Sequence, residues 1–198
     1  MVYDNILEAM GHTPLIRLQR MAEPNAADIV VKFEGINVGG SVKTRTALQM
    51  IEEAEKRGDI NQNSIIVEPT SGNQGIGLAL VCAVKGYKAV IIMPDSVSEE
   101  RRKLVRHYGA EVIVIHDAGD IGECIARCIA KAEELAAADP NVYVPQQFEN
   151  VDNLRAHKYH TALEIVEDIE CHIHGFCSGI GTGGTISGVG QTLKRLYP

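Results

Sequence analysis

Residues 65–75 of the chain have the sequence IIVEPTSGNQG, a short apolar run followed by a polar loop that contains two glycines. An uninterrupted apolar run such as Ile65-Ile66-Val67 is typical of a strand that is covered on both faces of its sheet. Apolar residues then recur at helical spacing from residue 73 to residue 85. This stretch therefore predicts a buried β-strand, a loop that carries polar side chains, and an α-helix.

The same alternation of strands and helices extends over most of the chain. Strands are predicted at Leu15–Leu18, Ile29–Phe33, Ile65–Glu68, Ala89–Met93, Glu111–Ile115, Val142–Val144 and Gly175–Ser178. Helices are predicted at Val42–Arg57, Asn73–Lys85, Ser98–Tyr108, Ile121–Ala138, His157–Ile169 and Thr185–Leu196. Alternating elements predict an α/β fold with three αβα layers and mostly parallel strands. No strand follows the last predicted helix, so we expect the fold to be incomplete at its C-terminal end.

The composition excludes several classes of protein. Of the 198 residues, 45% are hydrophobic and 23% are charged, which is ordinary for a globular protein and argues against disorder. The formal net charge is −7, so no large basic field is available to attract nucleic acid. The longest apolar run is much shorter than a membrane span, and residues 1–5 lack the regions of a signal peptide. An odd number of cysteines, five, without a CxxC pair predicts reduced thiols and a cytoplasmic location.

A glycine-rich loop, residues 177–185, has the sequence CSGIGTGGT and lies between a predicted strand and a predicted helix. Closely spaced glycines let backbone N–H groups converge at a helix N-terminus, where an anion is favoured. Thr182 and Thr185 would add hydroxyl donors, so we predict a phosphate site, with a tight glycine-packed turn as the alternative. The glycines also match a dinucleotide motif, but the chain ends before the acidic residue that this motif requires.

A third loop, residues 39–45, has the sequence GGSVKTR and opens a predicted helix. If Ser41 caps this helix, Lys43 falls in its first turn, where the helix dipole disfavours a cation by about 0.3–1 kcal/mol. This field lowers the pKa of the lysine and increases the fraction of neutral amine, which Schiff-base chemistry requires. A solvated surface lysine is the alternative interpretation.

The polar loop at residues 68–75 offers two hydroxyls, an amide and free backbone N–H groups. At the carboxyl end of a parallel strand these groups suit a carboxylate or another small polar ligand. A turn that only caps the following helix is an equally good interpretation of the loop by itself. We predict no metal site, because the histidines at positions 157, 160, 172 and 174 lack a convincing set of further ligands.

Taken together, these stretches resemble the cysteine synthase (O-acetylserine sulfhydrylase) and cystathionine β-synthase family of fold type II pyridoxal-phosphate enzymes. The segments that carry the resemblance occur in the family's order and cover nearly all of the chain, namely Gly11–Leu15, Gly39–Lys43, Glu68–Asn73, Met93-Pro94 with Glu100-Arg101-Arg102, Gln147-Phe148, and Ser178–Gly188. The resemblance implies a tryptophan synthase β-like fold. Its large domain would comprise residues 1–38 and 147–198, incomplete at the C-terminal end, and a small mobile domain would comprise residues 39–146.

The resemblance also implies roles for individual residues. Lys43 would form the Schiff base with pyridoxal 5'-phosphate and act as the catalytic acid and base. The phosphate of the cofactor would be held by Gly181, Thr182, Gly183, Gly184 and Thr185, and its 3′-oxygen by Asn73. The carboxylate of the amino-acid substrate would be surrounded by Thr70, Ser71, Gly72, Asn73 and Gln147.

The activity implied by the resemblance is β-replacement, in which O-acetyl-L-serine and sulfide give L-cysteine through an aminoacrylate intermediate. The alternatives are release of hydrogen sulfide from cysteine, a cystathionine β-synthase-like reaction with another thiol, and a chain that binds the cofactor without turnover. Gln74 keeps these alternatives open, because it stands next to the substrate loop where the family commonly has threonine. Thr44 also departs from the family, which commonly has aspartate or cysteine there.

The partners implied by the resemblance are small molecules and other copies of the chain. The small molecules are an amino-acid substrate and sulfide or a thiol. A homodimer is expected, together with docking of the C-terminal tail of serine acetyltransferase in the active site. No nucleic acid and no membrane is expected as a partner.

Overall fold

The computed structural model describes residues 2–20, 23 and 26–198. Its strands are β1 (Leu15–Arg17), β2 (Val30–Lys32), β3 (Ile65–Pro69), β4 (Lys88–Pro94), β5 (Glu111–Ile115) and β6 (Val142–Tyr143). A four-stranded parallel sheet has the order β5-β4-β3-β6. β1 and β2 form a separate antiparallel pair.

Helices connect and cover these strands. They are α1 (Lys43–Arg57), α2 (Asn73–Lys85), α3 (Glu99–His107), α4 (Ile121–Ala138), α5 (Val151–Ala156), α6 (Ala162–Asp168) and α7 (Gly184–Leu196). A π-helical turn at His157–Thr161 joins α5 to α6 without a break, and 3₁₀ turns lie at Ile6–Ala9 and Glu34–Ile36. In the part of the chain that the structure describes, no helix is both long and apolar enough to cross a membrane.

The parallel sheet separates two apolar layers. Because successive side chains of a strand point to opposite faces, Ile66 and Ile91 pack on one side with residues of α1, α2 and α3. Val67 and Ile92 pack on the other side with residues of α4. A third apolar cluster lies between α6 and α7, apart from this sheet. The sheet and its two helical layers therefore form the three-layer α/β arrangement that the sequence predicts.

Most predicted elements lie within a few residues of the observed ones, but the strand predicted at Gly175–Ser178 is wrong. A strand is stable only when a neighbour accepts and donates its backbone hydrogen bonds. Within residues 2–20, 23 and 26–198, no segment pairs with residues 175–178. The helix predicted from His157 to Ile169 also starts too late, because α5 and the π-helical turn precede α6.

Buried ion pairs fasten the start of α1 to distant parts of the chain. Arg45 Nη1 lies 2.5 Å from Glu164 Oε1 of α6, and Arg45 Nε lies 2.9 Å from Glu34 Oε2. Lys32 of β2 also reaches Glu164, at 2.8 Å. Burial by itself raises the pKa of Glu164, but hydrogen bonds from Arg45 and Lys32 lower it to about 2, so the carboxylate stays ionised at neutral pH. Arg45 and Glu164 are 119 residues apart in sequence.

Replacing Arg45 with methionine is expected to lower the free energy of unfolding by about 3–5 kcal/mol, because Glu34 would lose its cationic partner and buried Glu164 would keep Lys32 but lose Arg45. The matched control is Lys103→Ala, which removes only an exposed ion pair with Glu99 and should have a small effect. Urea unfolding followed by circular dichroism measures both changes. Equal effects of the two substitutions would contradict a structural role for the buried pairs.

Candidate active site

The polar loop after β3 lies where the sequence predicts it, between a buried strand and a helix. The Gly72 N–H donates to the hydroxyl of Thr70 at 3.2 Å, which braces the loop. Arg101 of α3 donates to the carbonyl oxygen of Ser71 at 3.4 Å. Asn73 begins α2 and is exposed, so its amide is accessible to a ligand.

Lys43 is the first residue of α1, and it is half-buried. Its backbone N–H donates to the hydroxyl of Ser41 at 3.3 Å, which supports the start of the helix, although Val42 occupies the position just before it. Burial lowers the pKa of Lys43, and the nearby carboxyl group of Glu68 offsets this only in part. The direction of the shift is the one expected from the sequence, but its cause is burial.

The glycine-rich loop leads directly into α7. Gly183 has φ = +81°, a backbone conformation that glycine adopts without strain, and α7 begins at Gly184. The Gly184 N–H donates to the hydroxyl of Thr182 at 3.3 Å. The first N–H groups of a helix have no partner within the helix. The loop and the first turn of α7 therefore provide a set of donors suited to an anion such as phosphate.

Asn153 of α5 connects the glycine-rich loop to Gln147. Its amide nitrogen donates to the carbonyl oxygen of Gln147 at 2.7 Å and to the hydroxyl of Thr182 at 2.9 Å. Gly184 packs against the same side chain so closely that a Cβ atom there would overlap Asn153 Oδ1. Asn153 is not among the residues predicted from the sequence. No local signal marks it, because its partners lie 6 and 29 residues away.

Glu68, the fourth residue of β3, holds the backbone that precedes the Gln147 side chain. Its carboxylate accepts from the N–H of Gln146 at 3.0 Å and from the N–H of Gln147 at 3.2 Å. Only 1% of Glu68 is exposed. Burial raises the pKa of Glu68 to about 7, although the hydrogen bonds from Gln147 and Gln146 and the charge of Lys43 act in the opposite direction.

His157 contacts the glycine-rich loop from the π-helical turn, and it is fully buried. Its ring nitrogens lie 3.1 Å from the hydroxyl oxygen of Thr161 and 3.2 Å from that of Thr185. Burial and the charges of Lys43 and Arg45 lower the pKa of His157 to about 4, so the ring is neutral at neutral pH. A neutral ring with its proton on Nε2 donates to Thr185 and leaves the hydroxyl proton of Thr185 free for an anion.

Hydrogen bonds connect some of the predicted site residues to one another, whereas Lys43 acts on the others through its charge. Gln147 and the glycine-rich loop share hydrogen bonds through Asn153. The charge of Lys43 acts on Glu68, which contacts the Gln147 segment, and on His157, which contacts the glycine-rich loop. Gln74, which departs from the family pattern, is buried against α1, where the hydroxyl of Thr46 donates to its Oε1 at 2.7 Å.

Replacing Gly184 with alanine is expected to weaken the binding of pyridoxal phosphate by about tenfold or more, because Asn153 must move and release Thr182. The matched control is Gly190→Ala in the same helix, where a Cβ atom meets nothing within 4 Å. That change should leave binding unchanged and stabilise α7 by about 0.5–1 kcal/mol. Equilibrium dialysis measures the binding and thermal unfolding measures the stability. Unchanged binding in Gly184→Ala would refute the role assigned to this contact.

Known proteins are similar to this chain in sequence and in overall structure. The chain is 49% identical over 196 residues to a cysteine synthase of Staphylococcus aureus, covering 98% of this chain and 62% of that protein. A hydrogen sulfide-producing enzyme from Fusobacterium nucleatum has a TM-score of 0.92 and 44% identity, over 100% of this chain and 63% of that one. An O-acetylserine dependent cystathionine beta-synthase from Helicobacter pylori has a TM-score of 0.90 and 37% identity, over 98% and 63%. The chain thus spans 62% of the length of the curated relative.

The family-level comparison covers the whole candidate site. A family model described as pyridoxal-phosphate dependent enzyme matches residues 6–198, which include Lys43, the polar loop, Gln147 and the glycine-rich loop. The chain therefore belongs to the family of pyridoxal-phosphate dependent enzymes.

Proposed function

We propose that this protein uses pyridoxal phosphate to replace the β-substituent of O-acetyl-L-serine with sulfide, which gives L-cysteine. The observation that carries the proposal is Lys43, a half-buried lysine with a lowered pKa at the start of α1, close to Glu68 and His157. A lowered pKa increases the fraction of neutral amine, the form that the chemistry needs. The similarity to the cysteine synthase of Staphylococcus aureus supports the same activity.

The residues present fit the cofactor of the family. Lys43 would provide the amine that holds the aldehyde carbon, and Asn73 would provide an amide for the 3′-oxygen. The phosphate would be held at the start of α7 by Gly181, Thr182, Gly183, Gly184 and Thr185, where backbone and hydroxyl donors converge and Gly181 leaves open space. When bound, pyridoxal phosphate supplies an electron sink that stabilises negative charge on the Cα atom of the amino acid.

The protein's own residues orient the substrate and move its proton. The carboxylate of the amino acid would be bound by Thr70, Ser71, Gly72, Asn73 and Gln147, which directs the Cα–H bond toward the lysine. The amine of Lys43 would take the proton from Cα, acetate would leave from Cβ, sulfide would add in its place, and the amine would return the proton to Cα. A lowered pKa suits both steps, because the amine must be neutral to accept the proton and protonated to return it.

We also propose that residues 39–146 form a small domain that closes over the amino acid, against a large domain of residues 1–38 and 147–198. Closure would exclude water from the reacting atoms. Helix α1 crosses this boundary through Arg45 and Arg57, each of which pairs with a carboxylate of the large domain. We therefore expect the ion pairs of Arg45 and Arg57 to hold the two domains together along α1 during closure.

The resemblance to cysteine synthases is also the basis for proposals about location and partners. We propose that the protein is a cytoplasmic homodimer. We further propose that its active site accepts the C-terminal tail of serine acetyltransferase. The carboxylate-binding loop at the carboxyl end of β3 supports this partner, because a C-terminal tail also ends in a carboxylate.

A second candidate function is the release of hydrogen sulfide from cysteine or the use of another thiol as the acceptor. It is supported by the similarity to the hydrogen sulfide-producing enzyme of Fusobacterium nucleatum and to the cystathionine beta-synthase of Helicobacter pylori. Gln74 keeps this candidate open, because it follows the substrate loop where the family commonly has threonine, and its Oε1 accepts from Thr46 at 2.7 Å. A chain that binds the cofactor without turnover is the third candidate.

Replacing Lys43 with alanine is expected to abolish the visible absorption band of bound pyridoxal phosphate and to lower cysteine formation by at least about 100-fold, because the base at Cα is lost. The control is Lys88→Ala, which removes an exposed lysine at the start of β4 and should change neither property. Absorption spectra and a cysteine assay provide the two measurements. Full activity of Lys43→Ala would refute the proposed role.

Three substrate mixtures distinguish the candidate functions in the unmodified protein. They are O-acetyl-L-serine with sulfide, L-cysteine alone, and L-cysteine with a second thiol. The proposed function predicts the highest kcat/KM with the first mixture. A higher kcat/KM with either of the others would favour the second candidate, and no product from any mixture would favour the third.

A further inference from the structure

We propose that Glu68 is a positioning residue for the amino-acid substrate and that it acts through Gln147. The inference rests on the proposed role of Gln147 at the substrate carboxylate and adds a residue behind it. Glu68 stands two positions before Thr70 in the polar loop. It also binds the backbone of Gln147. Glu68 would therefore connect the two segments proposed to bind the amino acid.

The geometry of the contact is specific. Each oxygen of the Glu68 carboxylate accepts one backbone N–H, from Gln146 at 3.0 Å and from Gln147 at 3.2 Å. Gln146 has φ = +55°, in the left-handed region that a residue with a side chain adopts at some energetic expense. The two hydrogen bonds that the Glu68 carboxylate accepts offset this strain. They fix the backbone from which the Gln147 side chain extends.

The Glu68 carboxylate is buried, and hydrogen bonds rather than an ion pair hold it in place. Within residues 2–20, 23 and 26–198, no lysine, arginine or histidine forms an ion pair with Glu68, and 1% of the residue is exposed. A buried carboxylate without a counterion destabilises the fold. The Arg45 cluster is different, because each of its carboxylates has a cationic partner. The contact with the Gln147 segment is therefore the observed interaction that would explain Glu68.

The contact should depend on pH. An ionised carboxylate accepts hydrogen bonds from both N–H groups. A protonated one places an O–H group opposite one of them, which weakens its contact with the Gln146–Gln147 backbone. The charged group that acts on Glu68 is Lys43 of α1, and it favours the ionised form. Since burial raises the pKa of Glu68 to about 7, the substrate should bind more weakly as the pH falls from 8 to 6.

The test measures the Kd of L-alanine, which has no β-substituent to lose, by titrating the absorption of the complete protein loaded with pyridoxal phosphate. Glu68→Gln places an NH₂ group opposite a backbone N–H and should raise the Kd about tenfold, the scale of one lost hydrogen bond. Gln147→Ala should raise it by a similar factor. If Glu68 acts through Gln147, the double variant should show about the same increase as either single variant, rather than their product.

Two further variants separate positioning from folding. Glu55→Gln removes the negative charge that pairs with Lys85 and leaves one oxygen acceptor where Lys85 and Tyr87 had two, at the far end of α1, so it should lower the Tm without changing the Kd. Glu68→Asp keeps the charge but shortens the side chain, so it should also raise the Kd. It serves as the test variant if Glu68→Gln does not fold. The rise in Kd between pH 8 and pH 6 should be present in the unmodified protein and absent in Glu68→Gln.

The outcomes distinguish this inference from the proposed function. Weaker binding in Gln147→Ala with an unchanged Kd in both Glu68 variants would overturn the inference alone. The inference would also be overturned if the double variant raised the Kd by the product of the two single increases. An unchanged Kd in Gln147→Ala would overturn the proposed role of Gln147, and the inference with it.

Discussion

The parallel pairing of β3 with both β4 and β6 is the constraint on which the candidate site depends. Parallel strands send the loops that follow them to the same edge of a sheet. The polar loop after β3 therefore meets the segment after β6, although Glu68 and Gln147 are 79 residues apart in sequence. Asn153 extends this meeting point to the glycine-rich loop. A change in the register of β6 against β3 would separate all three segments.

The parts of this structure that the sequence could predict are those whose signals lie within a few residues of each other. The apolar run at 65–67 and the glycine-rich loop predict where strand, loop and helix follow one another, and Lys43 at the start of α1 follows from the same local pattern. The roles of Asn153 and His157 could not be predicted, because the threonines that link them to the glycine-rich loop are 29 and 28 residues away, respectively. The strand predicted at 175–178 is wrong for a related reason, since pairing depends on a distant neighbour.

Burial shifts three ionisable groups of the candidate site toward their neutral forms. Lys43 has a lowered pKa, His157 is neutral, and Glu68 lies near its own pKa at neutral pH. The nearby charge of Arg45 is already paired with two carboxylates. The site therefore presents backbone and hydroxyl dipoles to a phosphate and a carboxylate, and it has few fixed charges that would attract other ions.

The π-helical turn sets the rotational phase of the helix in which it lies. Residues eleven apart in an uninterrupted α-helix complete about three turns and share one face. Asn153 and Glu164 stand at that spacing, yet one contacts the glycine-rich loop and the other Arg45. The extra residue of the π-helical turn rotates the helix after it by about 100°. The continuous helix formed by α5, the turn and α6 can therefore direct Asn153 and Glu164 to different sides. Regular α-helical geometry between His157 and Thr161 would place Asn153 and Glu164 on the same side of the helix. The helix could then keep its contact with the glycine-rich loop or with Arg45, but not both.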